Sequence, residues 1–185
     1  MHANIYGEVE KNLSNHKGYF ATHLTGNDLN GTVNFPLESG LAIFIKKDIK
    51  VNESKEIFIY RSGTDLLHDD ITSIPRNLQY ISFSVNSKNY LIGHFHGIWF
   101  PKSKEDTEDR IRQSQKIQDF FAKRTEIKIL CGDFNHAIQF CRENNFNKIK
   151  IESGKAFKQG HLFYKNRGFK IVKEDEEDFY MEKFL

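Results

Sequence analysis

Short apolar runs and strict alternation dominate the first hundred positions of this chain. Ala3 to Val9 is a semi-apolar run that predicts a strand leading into a polar stretch. Residues 11–39, rich in Asn, Gly, Thr and His and poor in periodicity, predict a loop-dominated region with one short helix at most. Strand patterns then follow closely. Leu41-Ala42-Ile43-Phe44-Ile45 is a continuous buried-type run, and Glu56 to Arg61 alternates. Leu78 to Val85 alternates cleanly, and Asn86-Ser87-Lys88-Asn89 predicts a hairpin turn into Tyr90 to His96.

Beyond His96 the rhythm changes. Residues 105–123 carry the spacing of an amphipathic helix, with Ile111, Ile117, Phe120 and Phe121 expected inward and the Arg, Lys, Gln and Asp positions outward. Ile127 to Cys131 predicts a buried strand that ends at Gly132-Asp133-Phe134-Asn135. A helix (136–145), a strand (147–152), a helix (155–167) and strands at 169–174 and 178–184 complete the pattern. Gly168 stands where a helix C-terminus requires positive φ. No Pro/Gly/Ser linker divides the chain, yet its style changes from β-rich with long loops to compact αβαββ, which places a seam just after Asn135. The expected class is α/β, with mixed strands and packing helices followed by a small αβαββ unit.

Composition narrows the function classes. The 185 residues suit one ordinary domain or two small ones. Lys and Arg total 27 against 25 Asp and Glu, a formal charge of +2, which gives no strong signal for nucleic acid or anionic lipid. Two cysteines, Cys131 and Cys141, make no disulfide framework and are expected as buried thiols, and no Cys/His spacing suggests zinc. The N-terminus lacks a signal pattern and no apolar run approaches membrane-spanning length, so a soluble, reducing, cytoplasmic setting is expected.

Polar groups at the ends of buried strands are where layered scaffolds hold rigid sites. Glu8, His96, Asp133 and Asn135 all fall at such ends. Carboxylates with an amide and an imidazole suit Mg²⁺-assisted phosphodiester cleavage: a hard cation takes oxygen ligands, an acid–base group activates water and donors hold phosphate oxygens. Each residue also has a structural reading. Glu8 fits a solvated strand-end charge and His96 a hydrogen-bonded core histidine. Asp133 and Asn135 fit N-caps of the helix that follows.

Four motifs in order, Gly40-Leu41-Ala42-Ile43-Phe44, Pro75-Arg76-Asn77-Leu78-Gln79-Tyr80, His96-Gly97-Ile98-Trp99-Phe100 and Cys131-Gly132-Asp133-Phe134-Asn135, resemble the endonuclease/exonuclease/phosphatase superfamily. Tyr6-Gly7-Glu8-Val9 is similar to that family's Gln-Glu-Val strand end. The resemblance covers residues 3–135 and implies a partial two-sheet β-sandwich acting on phosphate esters. It makes Glu8 the Mg²⁺ ligand and Asp133 the residue that orients or deprotonates the attacking water. Asn135 becomes a phosphate ligand, and His96 contacts phosphate or assists protonation. The family's first strand, with its catalytic asparagine, precedes the matched region, and no Ser-Asp-His string follows Asn135. Acid–base groups that act as a unit lose nearly all activity when one is removed, so a degenerate phosphoesterase is also expected. Missing outer strands leave open sheet edges through which two copies can dimerise.

Residues 136–185 are similar to the C-terminal half of the GNAT acyl-CoA N-acetyltransferases, through strand 148–152, Ser153-Gly154 and a helix ending Phe163-Tyr164-Lys165-Asn166-Arg167-Gly168-Phe169. This second resemblance implies acetyl-CoA as an alternative ligand. Tyr164 becomes the general acid toward the thiolate, and the helix from Lys158 to Tyr164 flanks the pantetheine arm. The Gly-rich pyrophosphate loop of those enzymes is replaced by Cys131 to Asn135, and Tyr164 equally suits an aromatic packing residue. A non-catalytic composite is the third expectation.

Overall fold

A computed structural model describes residues 4–28, 31–67, 70–98, 107–133, 147–156 and 158–184. Two compact units are formed, Met1–Asn135 and His136–Leu185.

The first unit begins with a correction. The run around Glu8 is not a strand but helix α1 (Ile5–Asn12), started by Asn4, whose side-chain oxygen accepts the Gly7 N–H at 2.8 Å. The capping asparagine and a Glu8–Lys11 pair within the helix decide the local choice in so short a segment. The polar stretch after it is no loop either. It contains the ten-residue strand β1 (His16–Thr25), which pairs antiparallel with β4 (Glu38–Lys46). A small ladder of β2 (Asn27–Asp28) and β3 (Gly31–Thr32) lies between them in sequence. Strand β1 alternates poorly because a register shift interrupts it between Thr22 and Leu24.

A second sheet has the order β5 (Lys50–Tyr60), β6 (Arg76–Val85), β7 (Lys88–His96), β8 (Ile127–Asp133). The first three are antiparallel. The β6–β7 turn is the two-residue pair Asn86-Ser87, both at positive φ, the geometry of the tight hairpin. Strand β8 runs parallel to β7, which demands a crossover, and helix α2 (Glu108–Ala122) supplies it. Thr107 caps α2, its side chain accepting the Arg110 N–H.

The two sheets close on an apolar layer. Ile45, Ile81 and Phe83 form its centre, with Tyr19, Ile43, Ile49, Val51, Val85, Tyr90 and Ile92 around them. Each large aliphatic side chain buried there contributes about 1.5–3 kcal/mol. Among the described residues, strand β1 lies over β5 and β6 and β4 over β7, and Ile127 and Ile129 of β8 are exposed. The opposite face of the second sheet is closed by α2, whose Phe121 ring sits against Gly93. The inward set of α2 differs from the expected one. Ile117 and Phe121 are buried, but Ile111 faces solvent, and Arg110 and Gln113 are buried instead. These two hold the backbone of Ile98: Arg110 Nε donates to its carbonyl and its N–H donates to Gln113 Oε1, both at 3.3 Å. Cys131 is exposed as a residue on β8, while its thiol donates to the Gly93 carbonyl at 3.3 Å and burial of that group pushes its pKa up to about 11.

The second unit is a three-stranded antiparallel sheet in the order β10 (Lys170–Glu174), β11 (Asp178–Phe184), β9 (Lys148–Gly154), with helix α3 (Lys158–Asn166) between β9 and β10. Gly168 takes φ +83° just past the helix, and the Phe169 N–H returns to the Tyr164 carbonyl. Ile149, Phe169 and Met181 are its core, with Ile151, Tyr164 and Phe179 packed on them. The helix expected at 136–145 lies outside the described residues.

Candidate functional site

Strands of both sheets end at the same edge of the sandwich, and there the inter-sheet layer changes from apolar to polar. Side chains alternate along a strand, so Asn77 and Gln79 on β6 point the same way as Ile81 and Phe83, into the layer. Both are buried, at 0% and 2% exposure. Gln79 pairs with His94 across β6 and β7 and with Glu56 across β5 and β6. His94 in turn pairs with Cys131, and His96 with Asp133, in the parallel ladder. Paired residues of neighbouring strands share a face at about 4.8 Å spacing. His96 and Asp133 are therefore held side by side as the last residues of their strands. Gly132 permits that fit: at φ +145° a Cβ there would stand 1.9 Å from the Phe95 carbonyl oxygen.

Two amides lock the layer across the sheets. Asn77 Nδ2 donates to the Thr22 carbonyl at 3.1 Å and to Glu56 Oε2 at 2.9 Å. Gln79 Nε2 donates to the Tyr19 carbonyl at 2.7 Å. Their oxygens, Asn77 Oδ1 and Gln79 Oε1, and the Nδ1 atoms of His23 and His94 are buried without a protein partner among the described residues. Buried polar atoms left unpaired cost about 1–3 kcal/mol each. A layer that keeps several is shaped by something other than stability.

Burial pushes both imidazoles toward their neutral forms. His94 lies below the ordinary histidine range, through desolvation first and the nearby His96 second. His23 is pushed down to about 4 by desolvation, then by Arg76, then by His96. Arg76, the first residue of β6, is itself only 5% exposed. One guanidinium and three imidazoles thus gather at this edge, beside the backbone position of Asp133.

The remaining expected site residues stand as follows. Glu8 is exposed on α1 with its carboxylate 2.6 Å from Lys11 Nζ, a solvated pair and not a strand-end ligand. Asp133 ends β8, while its side chain, and Asn135 entirely, lie outside the described residues. Among the described residues no group of three or more His, Cys, Asp or Glu could hold a metal ion. Mg²⁺ requires several oxygen ligands around one point, and such a set is not formed among the described residues. In the second unit Tyr164 packs edge-on against Phe169 with ring centroids 5.7 Å apart, and Lys158 opens α3 with its side chain outside the described residues. Sequence reasoning gave no role to His23, Arg76, Asn77, Gln79 or His94. For Asn77 and Gln79 the signal was present, since they occupy core-facing positions of an otherwise apolar alternation.

No protein-family model matches the sequence, and no curated protein does. Solved structures do. The catalytic domain of human Nocturnin, bound to a sulfate anion, matches with a TM-score of 0.54 at 13% identity, covering 97% of this chain and 64% of that one. A mannosyl-6-phosphatase of Bacteroides thetaiotaomicron matches with 0.53 at 13% identity, covering 96% of this chain and 66% of that one. An endonuclease/exonuclease/phosphatase family protein of the same organism gives 0.51 at 12%, over 96% and 64%. This chain thus spans slightly under two thirds of the length of each. The likeness takes in most of residues 136–185 and lends no support to an acyltransferase-like segment there. At these identities it is a likeness of architecture: the fold is that of the endonuclease/exonuclease/phosphatase proteins.

Proposed function

We propose that the polar edge of the sandwich binds the phosphate group of a phosphate ester, and that the chain is a divergent phosphoesterase of the endonuclease/exonuclease/phosphatase type. The observation that carries this reading is the convergence of Arg76, His94 and His96 with the backbone of Asp133 at one end of two packed sheets. A guanidinium presents a rigid fork of donors that matches phosphate oxygens, and imidazoles add donors of adjustable charge. Asp133 beside His96 supplies the carboxylate that orients a water or an imidazole for attack. The fold it shares with a sugar phosphatase and with a domain that holds sulfate agrees with an anion site. Mg²⁺, the cofactor the family resemblance implies, lacks a ligand set among the described residues, so no step is routed through it. Acetyl-CoA has no comparable support.

The test is hydrolysis of a generic phosphodiester and a generic phosphomonoester by the full chain, with and without Mg²⁺. Activity that falls at least a hundredfold in Asp133→Ala and in His96→Ala supports the reading, in keeping with the weight of single acid–base groups. Activity equal in both variants would show that the turnover comes from another protein and end it.

A further inference from the structure

One buried imidazole at this edge comes from the opposite sheet and is aimed there by an irregularity of the backbone. His23 lies in the register shift of β1, between the paired residues Thr22 and Leu24. An extra residue in one strand breaks the alternation and re-aims its side chain, a device common beside functional sites. The result is visible in burial: His23 and Leu24, adjacent in sequence, are both inside, at 8% and 4% exposure. Strand β4 accommodates the bulge through Gly40, the partner of Thr22, where a Cβ would stand 2.1 Å from the Ala21 carbonyl oxygen. The Thr22 carbonyl accepts from Asn77, so His23 is anchored directly beside the start of β6.

Nδ1 of His23 has no protein partner among the described residues. Its neighbours are cationic or able to become so: Arg76 of β6 and His96 of β7 both act on it directly. Around these stand His94 of β7 and Glu56 of β5, the latter held by Asn77. Glu38 of β4, bonded to the Thr22 hydroxyl at 3.1 Å, lies at the rim, and Asp133 ends β8 beside His96. With no anion present, burial first and the field of Arg76 second keep a proton off His23. A doubly charged ligand between them reverses that field and accepts a hydrogen bond from the imidazolium.

We infer that His23 is a proton-accepting member of the site, so that a doubly charged oxyanion, the chemistry of a phosphomonoester, enters beside Arg76 and His96 together with a proton on His23. This rests on the phosphate-site reading above and deepens it by naming the substrate charge. A phosphodiester carries one negative charge and provides far less drive for protonation. Binding coupled to uptake of one proton tightens by up to about tenfold for each pH unit lowered.

Sulfate is a suitable probe, because it remains a dianion across the range and any pH dependence belongs to the protein. Its affinity for the full chain is measured by calorimetry between pH 8 and pH 5, with dimethyl phosphate as the singly charged comparison. The expected result is sulfate binding that tightens several-fold per unit below pH 7, a nearly flat profile for dimethyl phosphate, and a flattened sulfate profile in His23→Gln. An equally steep sulfate profile in His23→Gln would assign the proton to another group and overturn the inference while leaving the site standing. Absence of any sulfate or phosphate binding by the wild-type chain would overturn the site reading and the inference with it. Should His23→Gln fail to fold, the ring of His23 in the wild-type chain decides by nitrogen chemical shift. Movement to the imidazolium position on adding sulfate at pH 6 supports the inference, and a shift that stays neutral overturns it.

Discussion

The two ends of the inter-sheet layer are built by the same strands and differ in nearly every physical respect. At one end Ile45, Ile81 and Phe83 meet with no polar atom among them, and the Phe83 and Tyr90 rings stack at 5.4 Å. At the other end the same β6 and β7 contribute Arg76, Asn77, Gln79, His94 and His96, and among the described residues Asn77 Oδ1, Gln79 Oε1 and His94 Nδ1 are buried without a protein partner. Strand propensity and pairing are satisfied at both ends, so the fold does not require the polar one. The contrast teaches that the apolar end carries the packing, while the polar end is where the proposed site can be placed without loss of the fold.

Substitution at the apolar end should be the most damaging. Ile81→Ala removes a side chain with 0% exposure and is expected to cost about 2–5 kcal/mol, read as a lowered urea midpoint at unchanged slope. A loss under about 1 kcal/mol would show that the layer does not carry the fold. Next in size is Gly40→Ala, where the added methyl meets the Ala21 carbonyl at the bulge. A destabilisation of about 1–3 kcal/mol is expected, and a neutral result would mean that the bulge relaxes freely.

The polar end should announce itself in acid. His23 titrates at about 4 in the folded chain, below its unfolded value, so the unfolded chain takes the proton first as pH falls. Its contribution is therefore complete above about pH 6.5 and is lost as pH drops toward 4. His94 shifts in the same direction. Allowing for residual solvent screening, unfolding free energy should fall by about 1–2 kcal/mol over that window, and His23→Gln should flatten the curve. An unchanged slope in that variant would deny His23 its buried, neutral state. The smallest effect belongs to the second unit, where Glu182 bridges Lys148 and Lys150 at 3.1 Å each on the sheet surface. Glu182→Gln should lower the thermal midpoint only slightly, and a large drop would make this pair a structural centre.

Much of the fold was legible where one period dominates. The alternation of Leu78 to Val85, the run at Leu41 to Ile45 and the three closing strands all stand where the pattern put them. The failures share a cause, tertiary context overriding local pattern. Residues 5–12 carry an apolar run that a capping Asn4 and a small stacked contact of Tyr6 on Phe44 turn into a helix. Strand β1 was hidden because its bulge destroys the alternation that marks a strand. Arg110 and Gln113 face inward because the backbone of Ile98 needs partners, a demand no helical periodicity records. Of the proposed site, His96 and Asp133 were visible in the sequence as strand ends within ordered motifs. His23 was not, since nothing in a polar stretch around residue 23 foretells that a bulge will point it at a residue more than fifty positions away.

The most direct measurement is a phosphate titration followed residue by residue in the nuclear magnetic resonance spectrum of the intact chain. The account predicts saturable shifts confined to the polar edge, at His23, Arg76, Asn77, His94, His96 and the Gly132–Asp133 backbone, with Phe83 to Tyr90 unmoved. Shifts that are absent at millimolar phosphate, or that collect on α1 or on the second unit instead, would contradict it.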